Sequence, residues 1–136
     1  MMPYFIGKIL EIPVTATQDY SFFHILDDYC IDLWKHQISL ILEVHGLASF
    51  IVHPDYIIED RARATYFGLL EYLSRLRSEQ NVWTALPGEV NRWWRERSQM
   101  KLVQYGGEWR IEAPGSERAR IAYTVSDGQE LVYSLN

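Results

Sequence analysis

Leu47-Ala48-Ser49-Phe50-Ile51-Val52-His53-Pro54-Asp55-Tyr56 is the stretch that decides the fold. Residues 47–52 form a nearly unbroken apolar or small run. That is the composition of a strand buried on both faces, as parallel sheets require. Pro54 has no N–H to offer a ladder and stops the strand just after His53. Parallel sheets place ligands and catalysis beyond the carboxyl ends of their strands. An imidazole at that address is a candidate general acid or base. The plainer alternative is a histidine that hydrogen-bonds locally and does no chemistry.

Alternation of periodicities extends the pattern in both directions. Ile9 to Thr15 reads as a first strand, with Pro13 marking an edge or an irregular point. A polar and aromatic connection, Thr15 to Tyr29, leads to a helix over Ile31–His45. There Trp34, Ile38, Ile41 and His45 share a face, and Gly46 occupies the terminating glycine position. After the 47–53 strand, Tyr66, Leu69, Leu70, Leu73 and Leu76 mark a second helix over about Ile58–Ser78, with Asp55 a candidate cap. Val82 to Leu86 reads as a third strand, and Pro87-Gly88 opens a third helix carrying Val90, Trp93 and Trp94. Three strands alternating with three helices imply parallel pairing through helical crossovers.

The period changes after Ser98. Leu102–Tyr105 and Trp109–Glu112 flank Gly106-Gly107, and Arg118–Val125 and Glu130–Leu135 flank Ser126-Asp127-Gly128, two hairpin signals. Ala119, Ile121, Tyr123 and Val125 alternate with polar neighbours, so one face is expected to be buried. The expected fold is therefore α/β. A partial (β/α)-barrel segment of three parallel βα units spans 1–98, and a small antiparallel β-sheet spans 99–136. Three parallel strands cannot close a barrel, and the open edge beside Ile9–Thr15 needs a cover. The C-terminal strands, a second copy of the chain or a missing N-terminal half would each supply one.

Composition bounds the function. An apolar share of 48% suffices for a core, and 14% aromatic residues assign much of its packing to large rings. The net charge of −5 argues against nonspecific nucleic-acid binding. Cys30 is the sole cysteine, which excludes an intrachain disulfide and a cysteine zinc site. The N-terminal residues lack the basic-then-apolar order of a signal peptide, and no apolar run approaches a membrane span. These features lead one to expect a soluble, cytoplasmic chain with no membrane partner.

Three stretches resemble the carboxyl-terminal part of polysaccharide deacetylase (NodB-type) proteins. They are Pro3-Tyr4-Phe5-Ile6-Gly7 running into Leu10–Tyr20, then Ser49-Phe50-Ile51-Val52-His53-Pro54, then Val82–Val90 followed by Trp93-Trp94. In order, they cover residues 3 to about 98. The resemblance implies a distorted (β/α) barrel that hydrolyses N-acetyl groups on carbohydrate with a divalent metal. It assigns His53 to the acid that protonates the leaving amine and Asp19 to the residue that orients it. The family's early aspartate pair and His-x-x-x-His metal motif have no counterpart here, because no two of His24, His36, His45 and His53 are four apart. The chain by itself is thus expected to hold no cofactor and to lack hydrolase activity. Its partner would be a missing N-terminal half or a second copy, and its ligand a carbohydrate. The alternative is a non-enzymatic module that assembles through its open sheet edge.

Other clusters have plainer readings. His24, Asp27 and Asp28 have near-helical spacing for a metal, but Asp27-Asp28 reads better as an acidic turn before a helix. Ser49 and His53 would share a strand face but stand too far apart for direct proton transfer. Trp83, Trp93, Trp94 and Trp109 invite sugar stacking, yet core packing is the favoured reading. Glu89 reads as a first-turn acid that satisfies free N–H groups of the third helix.

Overall fold

The computed structural model describes residues 2–126, 128 and 131–135. Met1, the turn residue Asp127 and the expected strand start Glu130 lie outside the described residues. The chain divides into two compact units, Met1–Ala85 and Leu86–Asn136. The third helix belongs with the C-terminal hairpins rather than with the helices before it.

The first unit is built on helices. A short antiparallel pair, β1 (Tyr4–Ile6) and β2 (Ile9–Glu11), turns at Gly7, whose φ of +59° suits a residue without a Cβ. A π-helical turn follows at Ser21–Ile25, then α1 (Asp32–Glu43), a 3₁₀ turn at Pro54–Ile57 and α2 (Asp60–Glu79). The apolar faces of α1 and α2 meet the Phe22-Phe23 pair. Phe22, Phe23, Trp34, Ile38, Ala62, Leu69 and Leu76 form the buried core. The Trp34 indole stacks on Phe22 with centroids 4.2 Å apart and planes 5° apart. Its Nε1–H donates to the Thr17 carbonyl at 2.7 Å, so the buried indole has its polar end satisfied. Gln37 holds the same segment, donating to Thr17 Oγ1 at 2.7 Å and accepting from the Thr17 N–H at 3.0 Å.

The structure is mixed α/β, but its strands differ from the expected parallel set. Among the described residues all three sheets are two-stranded and antiparallel, and none is a (β/α)-barrel segment. Ile9–Glu11 pairs backwards with β1 instead of entering a parallel sheet. Residues 47–53 are extended but form no regular strand. They lie alongside 15–19 in the same direction, held by Thr15 and Ala16 N–H groups on the Ser49 carbonyl, both at 3.2 Å, and by the Asp19 N–H on the Ile51 carbonyl at 3.4 Å. A regular ladder fails here because a side chain takes two ladder positions. Thr15 Oγ1 donates to the Leu47 carbonyl at 2.7 Å and accepts from the Ser49 N–H at 2.9 Å. Nor is the stretch buried on both faces, since Phe50 packs edge-on to Trp34 while Ile51 is 40% exposed. Val82–Leu86 is not a strand either. Asn81 adopts a left-handed φ of 55°, and the Val82 N–H is drawn back to the Leu76 carbonyl at the end of α2.

Two helix ends also differ from expectation. In α1 the left-handed residue is His45, with a φ of 51°, not Gly46. The His45 N–H donates to the Leu42 carbonyl and the Gly46 N–H to the Ile41 carbonyl, the paired bonds of a Schellman stop. Asp55 lies within the 3₁₀ turn, and α2 starts after Glu59 instead.

The second unit holds α3 (Pro87–Ser98), β3 (Lys101–Tyr105), β4 (Glu108–Glu112), a 3₁₀ turn at Ser116–Arg118, β5 (Ala122–Ser126) and β6 (Leu131–Leu135). Glu89 reaches back to accept the Leu86 N–H at 2.7 Å, as expected of a first-turn acid. Both hairpins form, with Tyr105 opposite Glu108 and Ser126 opposite Leu131. The strand expected from Arg118 starts only at Ala122, because Ser116–Arg118 is a 3₁₀ turn. Gly106 and Gly107 both have positive φ, which a two-residue primed turn requires. The expected buried face of β5 is only partial, since Tyr123 is half-buried and Val125 is exposed. Arg118 lies over the Trp93 ring at 4.4 Å and Arg97 over Trp94 at 4.6 Å, so an arginine covers one face of each. The expected core packing does not hold for these rings, since Trp83 and Trp109 are exposed and Trp93 and Trp94 only half-buried.

If the Trp34–Phe22 stack organises the first unit, Trp34→Ala should destabilise the chain by about 3–5 kcal/mol, the range for emptying a large aromatic site. Urea unfolding followed by far-UV circular dichroism measures this. A loss below about 1 kcal/mol would place the core elsewhere.

Candidate functional site

Asp19 and His53 are 34 residues apart in sequence and meet at 2.8 Å. Asp19 ends the extended segment that runs beside 47–53, and Trp34 and Gln37 fix that segment from α1 through Thr17. The carboxylate has 0% exposure. Its Oδ1 accepts the Tyr20 N–H at 2.8 Å and faces His53 Nδ1 at 2.8 Å. Its Oδ2 accepts the His53 backbone N–H. One carboxylate therefore fixes both the main chain and the ring of the same histidine. Burying a carboxylate is costly unless hydrogen bonds engage its oxygens, and here both are engaged.

The tautomer follows from the partner. A carboxylate oxygen only accepts, so Nδ1 carries the proton and Nε2 becomes the nitrogen that exchanges protons. The His53 side chain keeps 43% exposure, enough for a substrate or water to reach it. The arrangement is a carboxylate-oriented imidazole, suited to general acid or base work. These are the two site residues that the sequence singles out.

An aromatic cluster adjoins His53. Tyr56 packs against the His53 ring with centroids 5.0 Å apart, and His24 meets Tyr56 at 4.8 Å, edge to face. Tyr20 completes the group at 5.7 Å from Tyr56 and 5.5 Å from His24. Tyr56 is not among the site residues the sequence singles out, although a signal is present. Pro54 directly after His53 favours a tight turn, and a turn of three residues brings position 56 back over position 53.

The other candidates disperse. His24 joins the rings described above. Asp28 Oδ1 accepts the Cys30 N–H at 2.8 Å, and Asp27 faces Arg61 at 3.8 Å. His36 and His45 are exposed on and after α1. Ser49 is tied into the pairing with Thr15. Cys30 is exposed, and a hydrogen bond with the Asp32 carboxylate holds its thiol above the ordinary range, which disfavours the reactive thiolate. The second unit has its own open groove of about 460 Å³, lined by Glu96, Gln99, Lys101, Glu112, Ala113 and Pro114.

Among the described residues, no group of three or more histidine, cysteine, aspartate or glutamate side chains is placed to hold an ion. No described helix is long and apolar enough to cross a membrane. Comparison with protein-family models, curated proteins and solved structures finds no match to this chain.

Removing the buried carboxylate should be costly. Asp19→Ala strips the Tyr20 and His53 N–H groups of their acceptor and should lower stability by about 1.5–3 kcal/mol, the range for hydrogen bonds to a charged group. Asp19→Asn keeps one acceptor oxygen and should cost less. Urea denaturation of the two variants measures the order, and equal stability of Asp19→Ala and the parent would show that the carboxylate is not structural.

Proposed function

We propose that this chain carries the proton-donating side of an amide-hydrolysing site related to the polysaccharide deacetylases. Cleaving an amide C–N bond requires a proton on the departing nitrogen. His53 supplies it from Nε2, and Asp19 holds Nδ1 and stabilises the imidazolium before transfer. The observation that carries this reading is the double grip of Asp19 on the backbone N–H and ring of His53. The same-direction run of 15–19 beside 47–53 supports a (β/α)-barrel origin for that part of the first unit. The substrate class is a neutral N-acetylated carbohydrate, in keeping with the net charge of −5, which disfavours polyanions.

Among the described residues no cluster of metal-ligating side chains that would activate water for attack is assembled, so the proposal makes the chain inactive alone. A complementing half supplies them. A second reading, assembly without catalysis, is favoured by the exposed apolar residues of the first hairpin, among them Ile6 at 60% and Ile9 at 69% exposure. Through that hairpin edge the chain would pair with a second copy or with the missing half.

Incubated with N-acetylated oligosaccharides and added zinc or cobalt, the chain should release no acetate, while the sugar should shift the His53 ring resonances. Turnover that disappears in His53→Ala would overturn the inactivity and reveal an overlooked metal site. Unshifted His53 signals together with a dimeric mass in sedimentation would favour assembly.

A further inference from the structure

We propose that Tyr56 is a positioning residue for His53, clamping the imidazole in the orientation in which Asp19 holds Nδ1. The inference rests on the acid/base reading of His53 and adds the second wall that such a histidine requires. A hydrogen bond at Nδ1 fixes one point of the ring but leaves its plane free to rock about that bond. A flat side chain packed against the ring removes this freedom.

The backbone explains why Tyr56 stands there. His53 is extended, with φ −99° and ψ 129°, as a residue before proline prefers. Pro54 then opens a 3₁₀ turn over Pro54–Ile57, closed by the Tyr56 N–H on the His53 carbonyl at 3.1 Å. That bond folds position 56 back toward position 53. The Tyr56 ring meets the imidazole at 5.0 Å and 54°.

Tyr56 is itself held from behind. Tyr20 and His24 press on it at 5.7 Å and 4.8 Å. Tyr20 follows Asp19 directly, with its N–H on Asp19 Oδ1, and His24 comes five residues after Asp19 in the π-helical turn. Such wide turns recur at functional sites, where they redirect side chains that a regular helix would point elsewhere. The segment that brings the carboxylate to His53 thus also backs the tyrosine that packs on its ring. The contact is one of ring faces and edges, so the phenol oxygen is dispensable and the aromatic ring is not.

The test is the tautomer of His53, read from two-bond ¹H–¹⁵N correlations of the intact chain above the imidazole titration. The parent and Tyr56→Phe should both show a single Nδ1–H form. Tyr56→Leu, with the Trp34 indole resonance unmoved as proof of folding, should lose that signature and show averaged nitrogen shifts. Should Tyr56→Leu keep the single form while Asp19→Asn loses it, Tyr56 has no positioning role and the Asp19–His53 reading survives. An averaged tautomer in the parent would instead defeat the acid/base reading itself. Where Tyr56→Leu does not fold, nuclear Overhauser contacts between the His53 and Tyr56 rings in the parent decide. Their presence sustains the clamp and their absence overturns it.

Discussion

The first unit depends on one buried carboxylate. Asp19 lies fully out of water, a position that costs several kcal/mol unless its oxygens are engaged. It is engaged by the Tyr20 N–H, the His53 N–H and the His53 ring. Those bonds can form only if residues 15–19 and 47–53 lie side by side, so the cost of the buried charge enforces the long-range pairing. The main-chain bonds between the two segments are few, and without Asp19 little would set their register at the His53 end.

The helical core supports this pairing instead of competing with it. Trp34 sends its indole N–H, and Gln37 its amide, to the same Thr17, two residues before Asp19. The Phe22-Phe23 pair just beyond Asp19 stacks onto Trp34 and Tyr29. The residues on both sides of Asp19 are therefore fixed by α1, and the carboxylate arrives at His53 with little freedom left to lose. This is how a site is held to the precision that proton transfer demands.

The helices were legible in the sequence because three- and four-residue spacing survives local irregularity. Trp34 and Ile38, or Leu69 and Leu76, point to the core whatever surrounds them. Hairpins were legible from Gly106-Gly107 for a similar local reason. The parallel sheet was not, because an apolar run such as 47–52 specifies extension and burial but not a partner. What replaced the ladder was the Thr15 hydroxyl, a side-chain competitor that periodicity does not register. His53 and Asp19 were legible as a pair only through a resemblance in motif order. Their contact across 34 residues is a tertiary fact that neither residue's neighbours encode. The aromatic cluster of Tyr20, His24 and Tyr56 was hidden for the same reason, since two tight turns have to fold before those rings can meet.

Hydrogen exchange at the His53 backbone amide tests the central constraint most directly, because that N–H has the buried Asp19 carboxylate as its acceptor and lies outside any regular helix or strand. If Asp19 clamps His53, this amide exchanges as slowly as those in the buried turns of α1 and α2. Exchange at the rate of an unstructured peptide, with the helices still protected, would mean that Asp19 does not hold His53 and that the site is not pre-organised.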